Sequence, residues 1–293
     1  MRTRAAVAVA TGALGLAAIA ASATPAVATA NESGSGLRAE KPTAADHWGK
    51  AAKRDGASAR AAAAEEPRIV SYSVNSGKAL ALGTTNAKTY TVSVTAEHAA
   101  GIYDVAVDLW HGTDLDNIDG LIFTNEEQAT CTASSATRST CKLTVTVDPK
   151  VDLYSNDLAG SWKVTVGAIS NDGDLYWNDY HGSTKVQRYS KLTVNAAPEP
   201  VTKGKKVTVT GKLTRANWET GDYRGYTVQK TDLQFRKKSQ ETYPGTLKTV
   251  TTNSKGELST TSTATVDGYW RYYFKGTSTT PAVKATGDYV DVR

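Results

Sequence analysis

The sequence predicts an all-β protein in which two antiparallel β-sandwiches follow one another along the chain. From Arg68 onward, apolar residues alternate with polar or small ones, and β-branched types dominate these runs. Turn residues separate the runs, and nothing between them keeps a helical period for long. The chain has 293 residues. About 265 remain after an N-terminal leader, a length that suits two domains better than one.

Residues 1–30 predict a secretory signal peptide. Arg2 and Arg4 begin it, residues 5–21 form an apolar run, and residues 26–28 or 28–30 offer a cleavage site of small residues. A transmembrane anchor is the alternative, but the run is short, rich in alanine and lacks a basic cluster after it. We therefore expect a secreted protein, extracellular or associated with the cell envelope, with no membrane span after signal cleavage.

Residues 31–66 show no strand pattern and are rich in alanine, glycine, serine and charged residues. This composition predicts a flexible tether or a pro-segment, part of which could be transiently helical. Trp48 is its one large aromatic side chain, and we expect it to be an incidental exposed residue.

The first domain is expected over residues 67–197 and the second over residues 198–293. Strands of the first are predicted at 69–74, 90–95, 102–110, 143–147, 162–166 and 191–194. Residues 195–200 are expected to form a linker, because its two prolines cannot donate ladder hydrogen bonds. Strands of the second are predicted at 207–211, 232–236, 246–250, 258–266, 270–274 and 289–292.

One pattern occurs in both halves. Gly160-Ser161-Trp162-Lys163 matches Gly268-Tyr269-Trp270-Arg271, and alternating apolar positions follow each. Each copy comes after a turn containing aspartate and before the last strand. An immunoglobulin-like sandwich has its penultimate strand there, with an aromatic residue at the corner.

The second half resembles the bacterial Ig-like modules of actinomycete secreted proteins. The resemblance rests on residues 201–211, Trp218, 233–236, Gly256, 268–271, 276–277 and 288–292. The first half is similar to a more distant Ig-like family. The resemblance implies two tandem immunoglobulin-like β-sandwiches in an extracellular or cell-surface protein. Some members of such families are loosely labelled calcium-binding, but this fold hosts many functions.

The two predicted domains carry opposite net charge. Residues 67–197 have 10 basic and 14 acidic residues, and residues 198–293 have 16 basic and 9 acidic residues. Such domains could pack together, or the basic one could contact a polyanionic wall polymer. Nucleic acid is not an expected partner, because the chain is predicted to be exported and its positive charge is dispersed along strands.

Cys131 and Cys141 are the only cysteines. In an exported protein they predict a disulfide, because two thiols and scattered histidines do not make a zinc site.

A cluster of carboxylates suggests Ca²⁺ as a possible ligand. Asp114, Asp116 and Asp119 lie on one loop, and Asp172 and Asp174 could add oxygens. The spacing does not fit an EF-hand, so a solvated loop and an Asp-Gly hairpin turn are the other interpretation. No cofactor is expected, with Ca²⁺ left as an alternative.

Trp218, Tyr223 and Tyr226 lie in one glycine-containing loop. Exposed together, they would form a stacking platform for a ligand. Packing into the core is the alternative, because three phenylalanines leave tyrosine and tryptophan to supply core bulk.

The chain contains no G-x-S-x-G, H-E-x-x-H or P-loop motif, and we expect it not to be an enzyme. The leading hypothesis is a secreted adhesion, binding or structural module that contacts a cell-wall polymer, a polysaccharide or a secreted protein. The alternatives are a Ca²⁺-binding extracellular protein and an inhibitor of secreted proteases presenting residues 132–140. A hydrolase with paired carboxylates has no support in the sequence.

Overall fold

The computed structural model describes residues 40–49 and 65–293, which belong to one compact unit. The predicted signal peptide lies outside them. Among the described residues, no helix combines the length and the apolar character that crossing a membrane requires.

The first sandwich has the strand order of an immunoglobulin-like domain. One sheet runs β1-β3-β7-β6 and the other β2-β9-β8-β4-β5, with β2 parallel to β9 and the remaining pairs antiparallel. These orders correspond to the ABED and A′GFCC′ sheets of that fold. The strands are β1 (Arg68–Val74), β2 (Leu80–Leu82), β3 (Lys88–Glu97), β4 (Ile102–Gly112), β5 (Ile118–Phe123), β6 (Thr130–Ala133), β7 (Arg138–Val147), β8 (Gly160–Ser170) and β9 (Leu175–Arg188), with 3₁₀ helices at Asn75–Gly77 and Asn156–Leu158.

Burial in this sandwich follows the period of two in the sequence. On β3, Val92 and Val94 are buried while their neighbours are less so. Trp162 begins the buried side of β8, and its Nε1 donates a hydrogen bond to the carbonyl of Leu158, 2.7 Å away. This bond ties the penultimate strand to the preceding corner, as a tyrosine does in many immunoglobulin-like domains. The predicted position of Trp162 is therefore confirmed.

The second sandwich is smaller and has the long strand β12 at its centre. Strands β10, β11, β13 and β16 pair with β12, and the facing sheet runs β15-β14-β17, with β18 and β19 both pairing with β17. Trp270, in the motif repeated from β8, is buried in its core. The strands are β10 (Ser190–Leu192), β11 (Asn195–Ala197), β12 (Lys206–Asn217), β13 (Asp222–Gly225), β14 (Lys230–Lys237), β15 (Thr246–Thr251), β16 (Glu257–Thr263), β17 (Gly268–Phe274), β18 (Val283–Lys284) and β19 (Asp288–Val290).

The run at 191–194 pairs differently from our expectation. It was expected to close the first sandwich, but β10 and β11 both pair with β12 of the second. The reason is that alternation encodes which face of a strand is buried, not which sheet the strand joins. The domain boundary at residue 197 stays a prediction, and we propose a boundary near Tyr189 because it agrees with this pairing.

Residues 40–49 dock on the first sandwich, within the part of the chain (31–66) for which the sequence predicts a flexible tether or a pro-segment. That assignment of residues 31–66 stays a prediction. The short helix α1 (Ala44–Trp48) begins after Thr43, whose backbone N–H donates to Asp46 at 2.8 Å. Trp48, expected to be exposed, donates from Nε1 to Asp104 at 2.9 Å. The remainder of residues 31–64 lies outside the described residues.

Candidate functional site

The disulfide between Cys131 and Cys141 is confirmed. The two residues stand directly opposite each other on β6 and β7, so the bridge joins neighbouring strands of one sheet. Residues 132–133 pair with residues 139–140 in this hairpin, and residues 134–137 lie in the turn between the two strands. Presentation of residues 132–140 to a protease stays a prediction.

The acidic loop after β4 is organised by its own hydrogen bonds. Asp114 accepts from the side chain of Asn117 at 2.7 Å and from the backbone N–H of Asp116 at 2.9 Å. The Asn117 bond is the largest of the effects that hold the pKa of Asp114 below its usual range. The carboxylate of Asp119 contacts His111, with 2.6 Å between Asp119 Oδ1 and His111 Nδ1. Within the described residues these three aspartates form no metal-ligand group, and Ca²⁺ binding stays a prediction.

Asp172 and Asp174 lie at the other end of β4, next to His98. Its Nε2 is 3.3 Å from Asp174, and its Nδ1 is 3.7 Å from Asp172. These three residues could together hold a metal ion. A nitrogen ligand beside carboxylates suits a transition metal better than Ca²⁺. The sequence did not indicate His98, because the sandwich brings together two turns that are far apart along the chain.

The aromatic loop is not an exposed platform. Trp218 is 5% exposed and packs into the core of the first sandwich, where its Nε1 donates to the carbonyl of Gly83 at 2.9 Å. The core alternative is therefore correct for Trp218, because the turn between β12 and β13 projects into the neighbouring domain. Tyr223 and Tyr226 are half-buried under Lys191 and Arg215, each 3.9 Å from the ring. Ligand binding by these two tyrosines stays a prediction.

Hydrogen bonds surround Trp218 and join the two sandwiches. The backbone N–H of Trp218 donates to Asn156 at 3.0 Å. Gln187 donates to the carbonyls of Thr277 and Ser278, and the buried Arg188 donates to the carbonyl of Ala216 at 2.6 Å. Burial lowers the pKa of Arg188 to about 10, so it stays cationic at neutral pH. The two domains therefore pack against each other through the buried ring of Trp218 and the hydrogen bonds around it.

The outward face of the sheet around β17 carries tyrosines and cations side by side. Arg236, Tyr269 and Tyr289 stand at paired positions of β14, β17 and β19. Arg236 lies 3.9 Å from the ring centre of Tyr269, and Lys238 lies 5.2 Å from that of Tyr289. The sequence carried a signal for this surface, since the outward positions of the 268–274 strand read Tyr-Arg-Tyr. We define the basic–aromatic face as Arg236, Lys238, Tyr243, Tyr269, Arg271 and Tyr289.

Ring contacts hold the cations of this face in place. Tyr243 packs 3.7 Å from the guanidinium of Arg271, whose Nε donates to Gln234 at 2.8 Å. Burial lowers the pKa of Arg271, while a hydrogen bond with Tyr289 raises the pKa of Lys238. Arginine keeps its charge in proteins, and a lysine with a raised pKa is protonated at neutral pH.

Neighbouring carboxylates are engaged by other protein groups. Asp267 accepts from the backbone N–H of Val292 at 2.9 Å and from the hydroxyl of Tyr289 at 3.1 Å. Asp232 lies 2.9 Å from Lys275. An open depression of about 580 Å³ adjoins the face, and Lys203, Lys237, Lys238, Asp267 and Arg293 contribute to its lining. Positive charge therefore prevails across this side of the second sandwich.

A sequence model of a family of unknown function (DUF5707) matches residues 71–168, within the first sandwich. No curated protein sequence shows significant similarity to the chain.

Among solved structures, the chain is similar to the Escherichia coli adhesin FdeC, with 12% identity and a TM-score of 0.34 over 79% of this chain and 65% of that one. It is similar to the D0-D1 domain of intimin, with 14% identity and a TM-score of 0.25 over 76% of this chain and 98% of that one. It is also similar to the Yersinia pseudotuberculosis adhesin InvE, with 14% identity and a TM-score of 0.26 over 76% of this chain and 58% of that one. The chain spans less than two thirds of FdeC and of InvE. The fold rests on the strand order given above, not on these distant likenesses.

Proposed function

We propose that this chain is an exported, non-enzymatic binding protein whose second sandwich binds an anionic glycopolymer of the cell envelope. The observation that carries the proposal is the basic–aromatic face, where Arg236, Lys238 and Arg271 lie against tyrosine rings. Its setting is an immunoglobulin-like tandem with a disulfide and a leader sequence typical of export.

The chemistry of the face suits phosphate or carboxylate groups spaced along a sugar chain. Guanidinium groups bind such anions with two parallel hydrogen bonds, and tyrosine rings offer flat surfaces against which sugar rings pack. A cation already held against a ring loses less side-chain freedom when it binds. The adjoining depression extends the basic surface through Lys203 and Lys237.

The test compares two variants of equal charge. The face variant carries Arg236→Gln, Lys238→Gln and Arg271→Gln, and the control variant carries Lys206→Gln, Lys212→Gln and Lys255→Gln, whose lysines are exposed elsewhere on the second sandwich. Retention on immobilised polyglycerol phosphate and polygalacturonate is measured against salt, with dextran as the neutral matrix. We expect the face variant to lose about tenfold or more in affinity and the control variant to lose far less.

An equal loss of affinity in the two variants would show that binding depends only on net charge, and it would contradict a specific site. Failure of the unmodified protein to bind either anionic polymer at low salt would also contradict the proposal. Far-UV circular dichroism and the thermal midpoint establish that both variants are folded.

A further inference from the structure

The first sandwich has a groove on the outward face of its five-stranded sheet. Asp104 and Asp108 point outward from β4, yet they are only 3% and 0% exposed. Gly167 of β8 lies beneath the ring of Trp177, and Asp179 follows on β9. We define the front groove as Asp104, Asp108, Gly167, Trp177 and Asp179.

Residues 40–49 fill the front groove, and their side chains match its charge. Lys41 Nζ lies 2.5 Å from Asp179 and 3.9 Å from Asp108. His47 Nε2 lies 3.2 Å from Asp108, and Trp48 Nε1 donates to Asp104 at 2.9 Å. Three acids of the groove thus contact one lysine, one histidine and one indole N–H.

Asp108 shows that the groove is shaped for a ligand with a positive charge. Its Oδ2 faces His47 and Lys41, while its Oδ1 has no hydrogen-bond partner among the described residues. Burying a carboxylate is unfavourable unless a counter-charge accompanies it, so a segment that covers Asp108 must bring a cation with it.

Gly167 shows that the groove is also shaped for an indole. A Cβ at this position would lie 2.5 Å from the ring of Trp177 and 2.8 Å from the ring of Trp48. The two rings meet edge to face at 5.9 Å between their centres. Any residue larger than glycine would displace one of the two tryptophans.

The docked segment is held by side-chain contacts, so it can leave its own groove and occupy the groove of another copy. Within the described residues it joins no sheet, and α1 has five residues, none of them buried. Fifteen residues, 50–64, connect it to the first sandwich, and fifteen residues can span up to roughly 50 Å. Since no strand hydrogen bond has to break, the segment can leave the groove while the sandwich stays folded.

We propose that the front groove also accepts residues 40–49 of a second copy of this chain, so that copies associate by exchanging these segments. Every copy carries both the groove and its matching segment. The tethered segment has an effective concentration in the millimolar range, so an isolated molecule fills its own groove first. Exchange follows where the local concentration of the protein is high. This proposal is independent of glycopolymer binding by the second sandwich.

The test mixes two complementary variants of the full mature chain. The segment variant carries Lys41→Gln and Trp48→Ala, which leaves its groove without a matching segment. The groove variant carries Asp104→Asn and Asp108→Asn, which leaves its segment without a matching groove. We expect sedimentation velocity to show monomers for each variant alone and a one-to-one heterodimer for the mixture.

A matched control replaces the segment variant by Lys185→Gln with Tyr154→Ala, which removes an exposed lysine and an exposed aromatic residue elsewhere on the first sandwich. Its own segment keeps its groove filled, so its mixture with the groove variant should stay monomeric. If the groove variant does not fold, Gly167→Ala serves instead, because it excludes the indoles without changing charge. A mixture of folded segment and groove variants that stays monomeric would overturn the proposal, as would equal dimerisation of the control mixture.

Discussion

Trp162 and Trp270 occupy the third position of β8 and β17, but the indole N–H groups have different surroundings. Both side chains are almost completely buried. Trp162 donates to the carbonyl of Leu158, whereas Trp270 Nε1 has no partner among the described residues. The repeated Gly-x-Trp pattern predicted a buried aromatic residue in both halves. It could not predict the hydrogen bond, which depends on how each preceding turn places its carbonyls.

This difference makes a matched pair of substitutions informative. We expect Trp162→Phe to lower the free energy of unfolding by about 1–3 kcal/mol more than Trp270→Phe, because it leaves the Leu158 carbonyl unpaired. Both changes remove similar ring area, so the loss of packing is similar. Urea unfolding measures the two losses, and equal losses would show that the Leu158 bond adds no stability.

At the scale of elements, alternation located several strands of each sandwich but missed others, among them β9, and it could not identify what covers a strand. On β4, aspartates alternate with valine and leucine, a pattern typical of a solvated outer face. Asp104 and Asp108 are nevertheless buried, because residues 40–49 dock over them. Nothing local to β4 encodes this cover, since His47 and Trp48, which contact Asp108 and Asp104, lie more than fifty positions earlier in the chain.

The β6–β7 hairpin offers a prediction at this scale. We expect replacement of both Cys131 and Cys141 by serine to lower the free energy of unfolding by about 2–3 kcal/mol, because the bridge limits the freedom of the unfolded chain. Strand β6 is an edge strand, so its amides should also exchange hydrogen faster. Hydrogen exchange resolved by residue checks this effect. Unchanged exchange in residues 130–142 together with unchanged stability would contradict it.

At the scale of the whole molecule, Trp218 links the stability of the two sandwiches. We expect Trp218→Ala to lower the free energy of unfolding by about 3–5 kcal/mol, because it leaves a cavity in the core of the first sandwich. Without the Trp218 side chain, the two sandwiches should also unfold in two separate thermal transitions instead of one cooperative transition. Calorimetry of the full chain tests both effects, and Leu247→Ala, at a 56% exposed position, is the control. A small loss with a single transition would show that the junction does not depend on Trp218.

The contribution of Trp218 to the first sandwich also sets an order of events during synthesis. Its indole hydrogen-bonds to Gly83, a residue 135 positions earlier in the chain. A polypeptide that emerges from its N-terminus displays all nine strands of the first sandwich before Trp218 exists. That sandwich therefore reaches its final packing only after β12 has followed it out, and a nascent chain halted between β9 and β12 would present an unfilled site to chaperones and proteases.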